Sequence, residues 1–76
     1  MNEVLENIAK ALVDVPEEVS VTEVEGEDST TLELRVAPGD MGKVIGKQGR
    51  IAKAIRTVVK AAASRDDKHV NVEIVQ

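Results

Sequence analysis

The residues best suited to chemistry lie in one short stretch, residues 42–50, with the sequence GKVIGKQGR. Gly46 and Gly49 enclose Lys47 and Gln48, and an arginine follows directly. A loop without side chains lets a negatively charged backbone approach main-chain N–H groups closely, and the start of a helix adds unpaired donors and a partial positive charge. We therefore expect the four-residue segment GKQG to hold a sugar-phosphate chain.

Two other interpretations of this segment compete with that one. A nucleotide P-loop is excluded, because only three residues separate Gly42 from Gly46 and because Gln48 stands where a magnesium-binding Ser or Thr should follow the lysine. The second is architectural: Gly46 ends one helix and Gly49 permits a tight turn into the next. A G-x-x-G alone is a weak signal, since roughly one chain in three of this length contains one by chance. Its basic surroundings favour the first interpretation.

Charge is distributed unevenly along this chain of 76 residues, which carries a net charge of -4. Residues 1–34 hold ten acids and one base, whereas residues 35–65 hold eight bases and one acid. A polyanion can therefore be attracted to one face and repelled by the rest. A solvated helix face is the alternative for Arg50, Lys53, Arg56 and Lys60 alike, and Arg50 and Lys53, which lie nearer the loop, are the better candidates for contact with RNA. The cations that we predict to contact phosphates are Lys43, Lys47, Arg50 and Lys53.

Composition excludes several function classes. Without cysteine the chain has no disulfide, thiolate metal site or cysteine nucleophile, and its single histidine, His69, cannot build an imidazole metal site. Asp66 and Asp67 are typical of a turn. With no nucleophile–base pair we predict that the protein is not an enzyme and uses no cofactor. The N-terminal stretch has no apolar run of signal-peptide or membrane-spanning length, which predicts a cytoplasmic protein without membrane partners.

The spacing of apolar residues predicts the elements that must position the glycine segment. In order they are a helix over 2–13, two antiparallel strands over 19–25 and 31–36, a short helix over 41–45, a long helix over about 50–64 and a strand over 69–75. Asp40 is the predicted cap of the short helix. Val24 falls out of register, which suggests a bulge or an edge strand. The long helix is predicted to bury Ile51, Ile55, Val58, Val59 and Ala62.

These elements favour one α+β domain over residues 1–76, with helices on one face of a sheet. Because a strand–helix–strand crossover is normally right-handed, the last strand should lie parallel to residues 31–36. The predicted architecture is a three-stranded mixed sheet with three helices packed on one face.

The order α-β-β-α-α-β, with VIGKQGRIAKAIR between the second and third strands, resembles a type II KH domain. The length and the whole order are similar to those of the KhpA family, small single-KH bacterial RNA-binding proteins. In KH domains the G-x-x-G loop clamps the backbone of about four nucleotides, and the resemblance implies that residues 46–49 form that clamp. It also implies an aliphatic groove for the bases, lined by Val44, Ile45, Ile51, Ile55 and the strand around residues 34–36.

The same resemblance implies partners. These are single-stranded RNA and either a second copy in a homodimer or a larger KH protein of the KhpB type, also called EloR or Jag. It implies an RNA chaperone in post-transcriptional regulation of cell elongation and envelope growth, and hence of cell shape and cell wall biogenesis. Without aromatic residues for base stacking, a single copy should bind weakly, and a second KH surface would raise avidity. The alternative is a protein–protein interaction module that pairs through a sheet edge or the alanine-rich residues 60–64.

Overall fold

The computed structural model describes residues 2–63 and 69–75. The predicted turn at residues 65–68 lies outside the described residues. The helices and strands, which follow the predicted order, are α1 (Asn2–Leu12), β1 (Ser20–Glu25), β2 (Ser29–Arg35), α2 (Met41–Ile45), α3 (Arg50–Ala63) and β3 (His69–Val75). Single 3-10 turns at Pro16–Glu18, Pro38–Asp40 and Lys47–Gly49 join some of them. Among the described helices, none combines the length and apolar character needed to cross a membrane.

The three strands form one mixed sheet in the order β1-β2-β3. β1 runs antiparallel to β2 and β3 runs parallel to it, with Leu32 opposite Glu23 on one side and Val72 on the other. This confirms the predicted parallel pairing. β1 is an edge strand, and its register with β2 continues through the pair of Val24 and Thr31, so the alternative of a bulge is wrong.

The core is a thin aliphatic layer between the helices and one face of the sheet. Alternate residues of β2 and β3 point into it, as the period of two in a strand requires. α1 contributes Leu5 and Ala9, and α2 contributes Val44. Each fully buried leucine or valine stabilises the fold by about 1.5–3 kcal/mol. The strand residues in the core are Leu32, Leu34, Val70 and Val72.

The buried side of α3 differs from the predicted one. Ile55 and Val59 are buried as expected, but Val58 is 49% exposed and Ala62 is also exposed. The buried residues repeat every three or four positions and include two alanines instead, which let the helix axis lie close to the sheet. The apolar stripe predicted from periodicity is therefore displaced by about one residue from the stripe that is buried in the structure. The residues of α3 in the buried stripe are Ala52, Ile55, Val59 and Ala63.

Candidate nucleic-acid interface

The glycine loop is a hydrogen-bonded bend between α2 and α3. The N–H of Gly46 donates to the C=O of Gly42 at 2.9 Å, and the N–H of Gly49 donates to the C=O of Gly46 at 3.1 Å. Gly46 has φ 75° and ψ 173°, Gly49 has φ 74°, and Gln48 between them has φ 58° and ψ 25°. L-residues rarely adopt such positive φ values. The loop conformation therefore explains both glycines and leaves Gln48 in a left-handed conformation.

The two glycines differ in what surrounds them. A β-carbon on Gly46 would lie 2.6 Å from Cγ1 of Ile51, whereas a β-carbon on Gly49 would meet nothing within 4 Å in the described part of the chain. Packing and conformation both require Gly46, whereas conformation alone requires Gly49. The surface at Gly49 is open to an approaching molecule.

Three of the predicted cations lie beside this loop. Lys47, Arg50 and Lys53 are exposed. Across residues 2–63 and 69–75, no carboxylate oxygen lies within 4.0 Å of any of these side-chain cations. Their charges are therefore not neutralised by close ion pairs in the described structure. A phosphate held at the loop would meet positive charge on the first turn of α3.

Arg56 does not simply face solvent. Its Nε donates a hydrogen bond to the C=O of Val72 at 3.1 Å, so the guanidinium connects α3 to the edge strand β3. Lys60, one turn further along α3, is exposed. Both residues are exposed, which agrees with a solvated helix face, but Arg56 also makes a contact to the sheet that the sequence did not predict.

Lys43 lies in a different environment from the other predicted phosphate contacts. Its Nζ contacts the carboxylate of Asp14 and lies 3.4 Å from Oδ1 of Asp40. The hydrogen bond to Asp14 raises the pKa of Lys43 above its ordinary value of 10.5, although burial alone would lower it. Two carboxylates thus already neutralise the ammonium group that sequence analysis assigned to phosphate.

Asp40 occupies the position of an N-cap, but its side chain does not cap α2. Only 3% of the residue is exposed, and Oδ2 accepts a hydrogen bond from the N–H of Val15 at 3.0 Å. The predicted capping role is therefore wrong. Sequence analysis missed this contact because no spacing rule relates residues 25 positions apart.

The predicted aliphatic groove is reduced to two of its residues. Val44 is fully buried in the core, and it is therefore not a surface on which a base can lie. Ile45 is 36% exposed and Ile51 is partly buried, and these two flank the glycine loop. The other residues predicted to line the groove are buried in the core, namely Leu34, Val36 and Ile55.

The arrangement offers non-covalent binding of an anionic chain: a bare bend, three neighbouring cations, the exposed Ile45 and the partly buried Ile51. In the ranges that the structure describes, no group of three or more His, Asp or Glu side chains could hold a metal ion.

Comparison with known proteins gives independent evidence for the family of this chain. A family model described as the KH domain of KhpA and KhpB matches residues 2–74. An RNA-binding protein KhpA from Clostridium acetobutylicum is 69% identical over 75 residues, which are 99% of this chain and 100% of the relative. Another from Listeria monocytogenes is 53% identical over 76 residues and covers 100% of both chains. One from Chlamydia trachomatis is 53% identical over 100% of this chain and 97% of its own.

Two crystal structures of Era have a similar fold over 96% of this chain. A variant of Aquifex aeolicus Era bound to GDP and aluminium fluoride matches with a TM-score of 0.66 and 21% identity. Era in complex with MgGDPNP and a segment of 16S ribosomal RNA matches with a TM-score of 0.60 and 22% identity. The chain spans only 28% of each Era chain, so this likeness concerns the fold alone. The fold agrees with a type II KH domain.

Proposed function

The chain belongs to the KH-domain family of KhpA and KhpB, and on that premise we propose that it binds single-stranded RNA by holding the sugar-phosphate backbone against the loop Gly46–Gly49. The close relatives are named RNA-binding proteins and the family is not enzymatic, which agrees with the expectation from sequence. The whole chain, residues 1–76, acts in this proposal as a single KH domain.

The observation that carries the proposal is the pairing of an open bend with unneutralised cations. Gly49 leaves space where a side chain would stand, and Lys47 and Gln48 are exposed at the tip. We assign the N–H groups of Lys47 and Gln48, at the tip of the loop, as donors to a phosphate oxygen. Such charge-assisted hydrogen bonds are roughly twice as strong as neutral ones. Arg50 and Lys53 extend the positive surface along α3. Ile45 and Ile51 offer aliphatic contact to a ribose or base.

The same features set the strength of binding. Three cations that each neutralise one phosphate give a slope of about -2 for the logarithm of affinity against the logarithm of salt concentration on a single strand. Base stacking on aromatic rings, worth about 1–3 kcal/mol per base elsewhere, is not available to this chain. We expect a single copy to bind weakly and with little sequence preference.

We therefore propose that the working form carries two KH surfaces, in a homodimer or with a KhpB-type partner. Linked sites raise affinity through effective concentration without new contacts. Val58 supports this proposal, because 49% of this valine is exposed, and exposed Ala54 and Ala62 lie near it on α3. Family membership supports the further proposal of a cytoplasmic RNA chaperone that acts with this partner on cell elongation and envelope growth.

The test of RNA binding is charge reversal at the loop tip. Lys47→Asp with Gln48→Asp should abolish binding of a mixed-sequence eight-nucleotide RNA at low ionic strength, measured by fluorescence anisotropy. The matched control is Lys10→Asp with Asn7→Asp on the exposed side of α1, which changes the net charge equally and should retain most of the affinity. Equal losses in both double variants would reduce the effect to net charge and refute a role for the loop.

The second candidate function, a protein-interaction module with little RNA binding of its own, is favoured by the same exposed Val58. Val58→Asp should shift the sedimentation coefficient toward that of a monomer under either function. If the loop holds RNA, the monomer still binds the RNA probe, whereas an interaction module binds it neither as wild type nor as Val58→Asp. If the wild-type chain associates with itself but does not bind the RNA probe, the interaction module is the better assignment.

A further inference from the structure

We propose that Asp40 is a positioning residue for the glycine loop: its buried carboxylate fastens the start of α2 to the segment after α1, and Lys43 completes the fastening. This inference rests on the proposed function, since the loop is taken to hold RNA. It assigns a role to a carboxylate that the RNA-binding surface itself does not use.

The first step is the state of Asp40. A buried carboxylate is costly unless hydrogen bonds and opposite charge compensate it. Burial acts to raise the pKa of Asp40, but hydrogen bonds from the backbone N–H groups of Val15 and Asp14 and from Lys43 together hold it below 3.8. The side chain is therefore an anion at neutral pH, and each of its contacts is charge-assisted.

The second step is what these contacts join. Asp14 and Val15 lie just after α1, Asp40 lies in the turn before α2, and Lys43 lies within α2. Oδ2 of Asp40 binds the first segment at 3.0 Å, and Oδ1 lies 3.4 Å from the Lys43 ammonium group, which also contacts the Asp14 carboxylate. One buried anion thus connects three parts of the chain.

The third step is that the loop follows the position of α2. α2 has five residues, too few for a helix that is stable alone, so tertiary contacts decide its orientation. Val44 anchors α2 to the core. The contacts among Asp40, Lys43, Asp14 and Val15, here called the Asp40 cluster, anchor its beginning. The loop follows directly after Ile45 at the other end, and the Gly46 N–H is hydrogen-bonded back to the Gly42 C=O within α2 at 2.9 Å. A change in the tilt of α2 therefore moves the loop.

The direction of Lys43 agrees with this role. Side chains on a helix lean toward its N-terminus, and the ammonium group of Lys43 accordingly reaches back to Asp40. The glycine loop lies at the opposite, C-terminal end of α2. Lys43 is then a positioning residue and not the phosphate contact that its place in the sequence suggested.

The test compares Asp40→Asn with Asp28→Asn, which removes the same charge from an exposed turn. Loss of one negative charge by itself should raise affinity for a polyanion. We expect Asp28→Asn to leave affinity for the eight-nucleotide RNA unchanged or slightly higher, and Asp40→Asn to lower it roughly two- to thirtyfold on the folded fraction. Affinity of Asp40→Asn equal to or above that of Asp28→Asn would overturn the proposal.

Salt dependence separates positioning from direct contact. Asp40→Asn and Lys43→Met should both weaken binding with the salt slope unchanged, because no phosphate contact is lost. A fall of about 0.7 in the magnitude of the slope for Lys43→Met would show that Lys43 touches RNA and would overturn its assignment. Since Lys43 is partly exposed, this variant keeps the test available if Asp40→Asn does not fold.

A third readout does not depend on RNA. In two-dimensional NMR spectra, the amide signals of Gly46 and Gly49 should shift more in Asp40→Asn than in Asp28→Asn. Unmoved signals would refute positioning even if RNA binding is confirmed. Shifted signals together with a wild-type chain that does not bind RNA would leave the link from Asp40 to the loop intact and refute the proposed function alone.

Discussion

The side chain of Ile51 occupies the space that a β-carbon on Gly46 would need, with Cγ1 only 2.6 Å from that position. The end of α2 and the first turn of α3 are therefore fitted against each other without room for one methyl group. This contact fixes the angle at which the loop meets α3, and it makes the two glycines of the motif unequal.

Alanine substitutions should reveal this inequality. Gly49→Ala should cost about 1–2 kcal/mol, because it places a side chain at a positive φ in open space. Gly46→Ala adds the collision with Ile51 and should cost at least about 1 kcal/mol more. Free energies of unfolding from urea titrations measure both. Equal losses would mean that Ile51 moves aside without penalty.

Neutralising the loop lysine should remove one phosphate contact. Lys47→Met is expected to lower the magnitude of the salt slope by about 0.7 and to weaken binding at every RNA sequence alike. Lys10→Met is the control, because Lys10 lies on α1 and pairs with Glu6 at 2.7 Å. Fluorescence titrations between 25 and 200 mM salt give the slopes. Parallel slopes for wild type and Lys47→Met would place the phosphate elsewhere.

Two valines offer a matched test of burial. Val44 is fully buried and Val58 is 49% exposed. Val44→Ala should cost about 2–3 kcal/mol, since it removes buried methyl groups and leaves a cavity. Val58→Ala should change stability by less than about 0.5 kcal/mol in a dilute monomeric sample. Thermal or urea unfolding measures the loss of stability in each variant. Similar losses at both sites would contradict the described packing of α2 and α3.

The Asp40 cluster predicts how stability depends on pH. A carboxyl with a lowered pKa in the folded state stabilises the fold above its unfolded-state pKa, and this contribution is lost as pH falls through the folded-state pKa. Lys43, whose pKa is raised, contributes below 10.5 and loses its contribution above that value. From the two directions, the cluster's contribution should be constant between about pH 5 and 9.

Urea midpoints measured across pH check this expectation. Below about pH 4 the wild-type chain should lose more stability than Asp40→Asn, because the variant has no carboxylate to protonate at this position. The difference between the two proteins isolates Asp40 from the other carboxylates. A constant difference from pH 7 to pH 2.5 would show that Asp40 titrates normally in the folded state.

Much of the fold follows from local patterns. The alternation in β2 and β3, the proline after α1 and the glycines around α2 determine the order of elements with bounds correct within about two residues. The parallel pairing of β3 with β2 followed from the crossover rule alone. The bend at residues 46–49 was likewise readable, because positive φ values favour glycine and the motif contains two.

What sequence analysis missed depends on contacts between distant residues. Asp40 resembles a helix cap in its own neighbourhood, yet its oxygen binds Val15, and Lys43 resembles a loop cation, yet it pairs with Asp14. Val44 and Val58 are both apolar residues in predicted helices, but packing against the sheet buries Val44 and leaves 49% of Val58 exposed. Such choices are made by packing, which local propensity does not encode.

The hydrogen bond from Arg56 to the C=O of Val72 involves β3, which is one of the two edge strands of the sheet. An edge strand exposes unpaired carbonyl and N–H groups on which another chain can grow, and proteins commonly guard such edges with charged side chains. A strand that added to β3 would have to displace a guanidinium, and one that added to β1 would meet Glu23 and Glu25. Both borders thus discourage fibril growth by addition of a further strand.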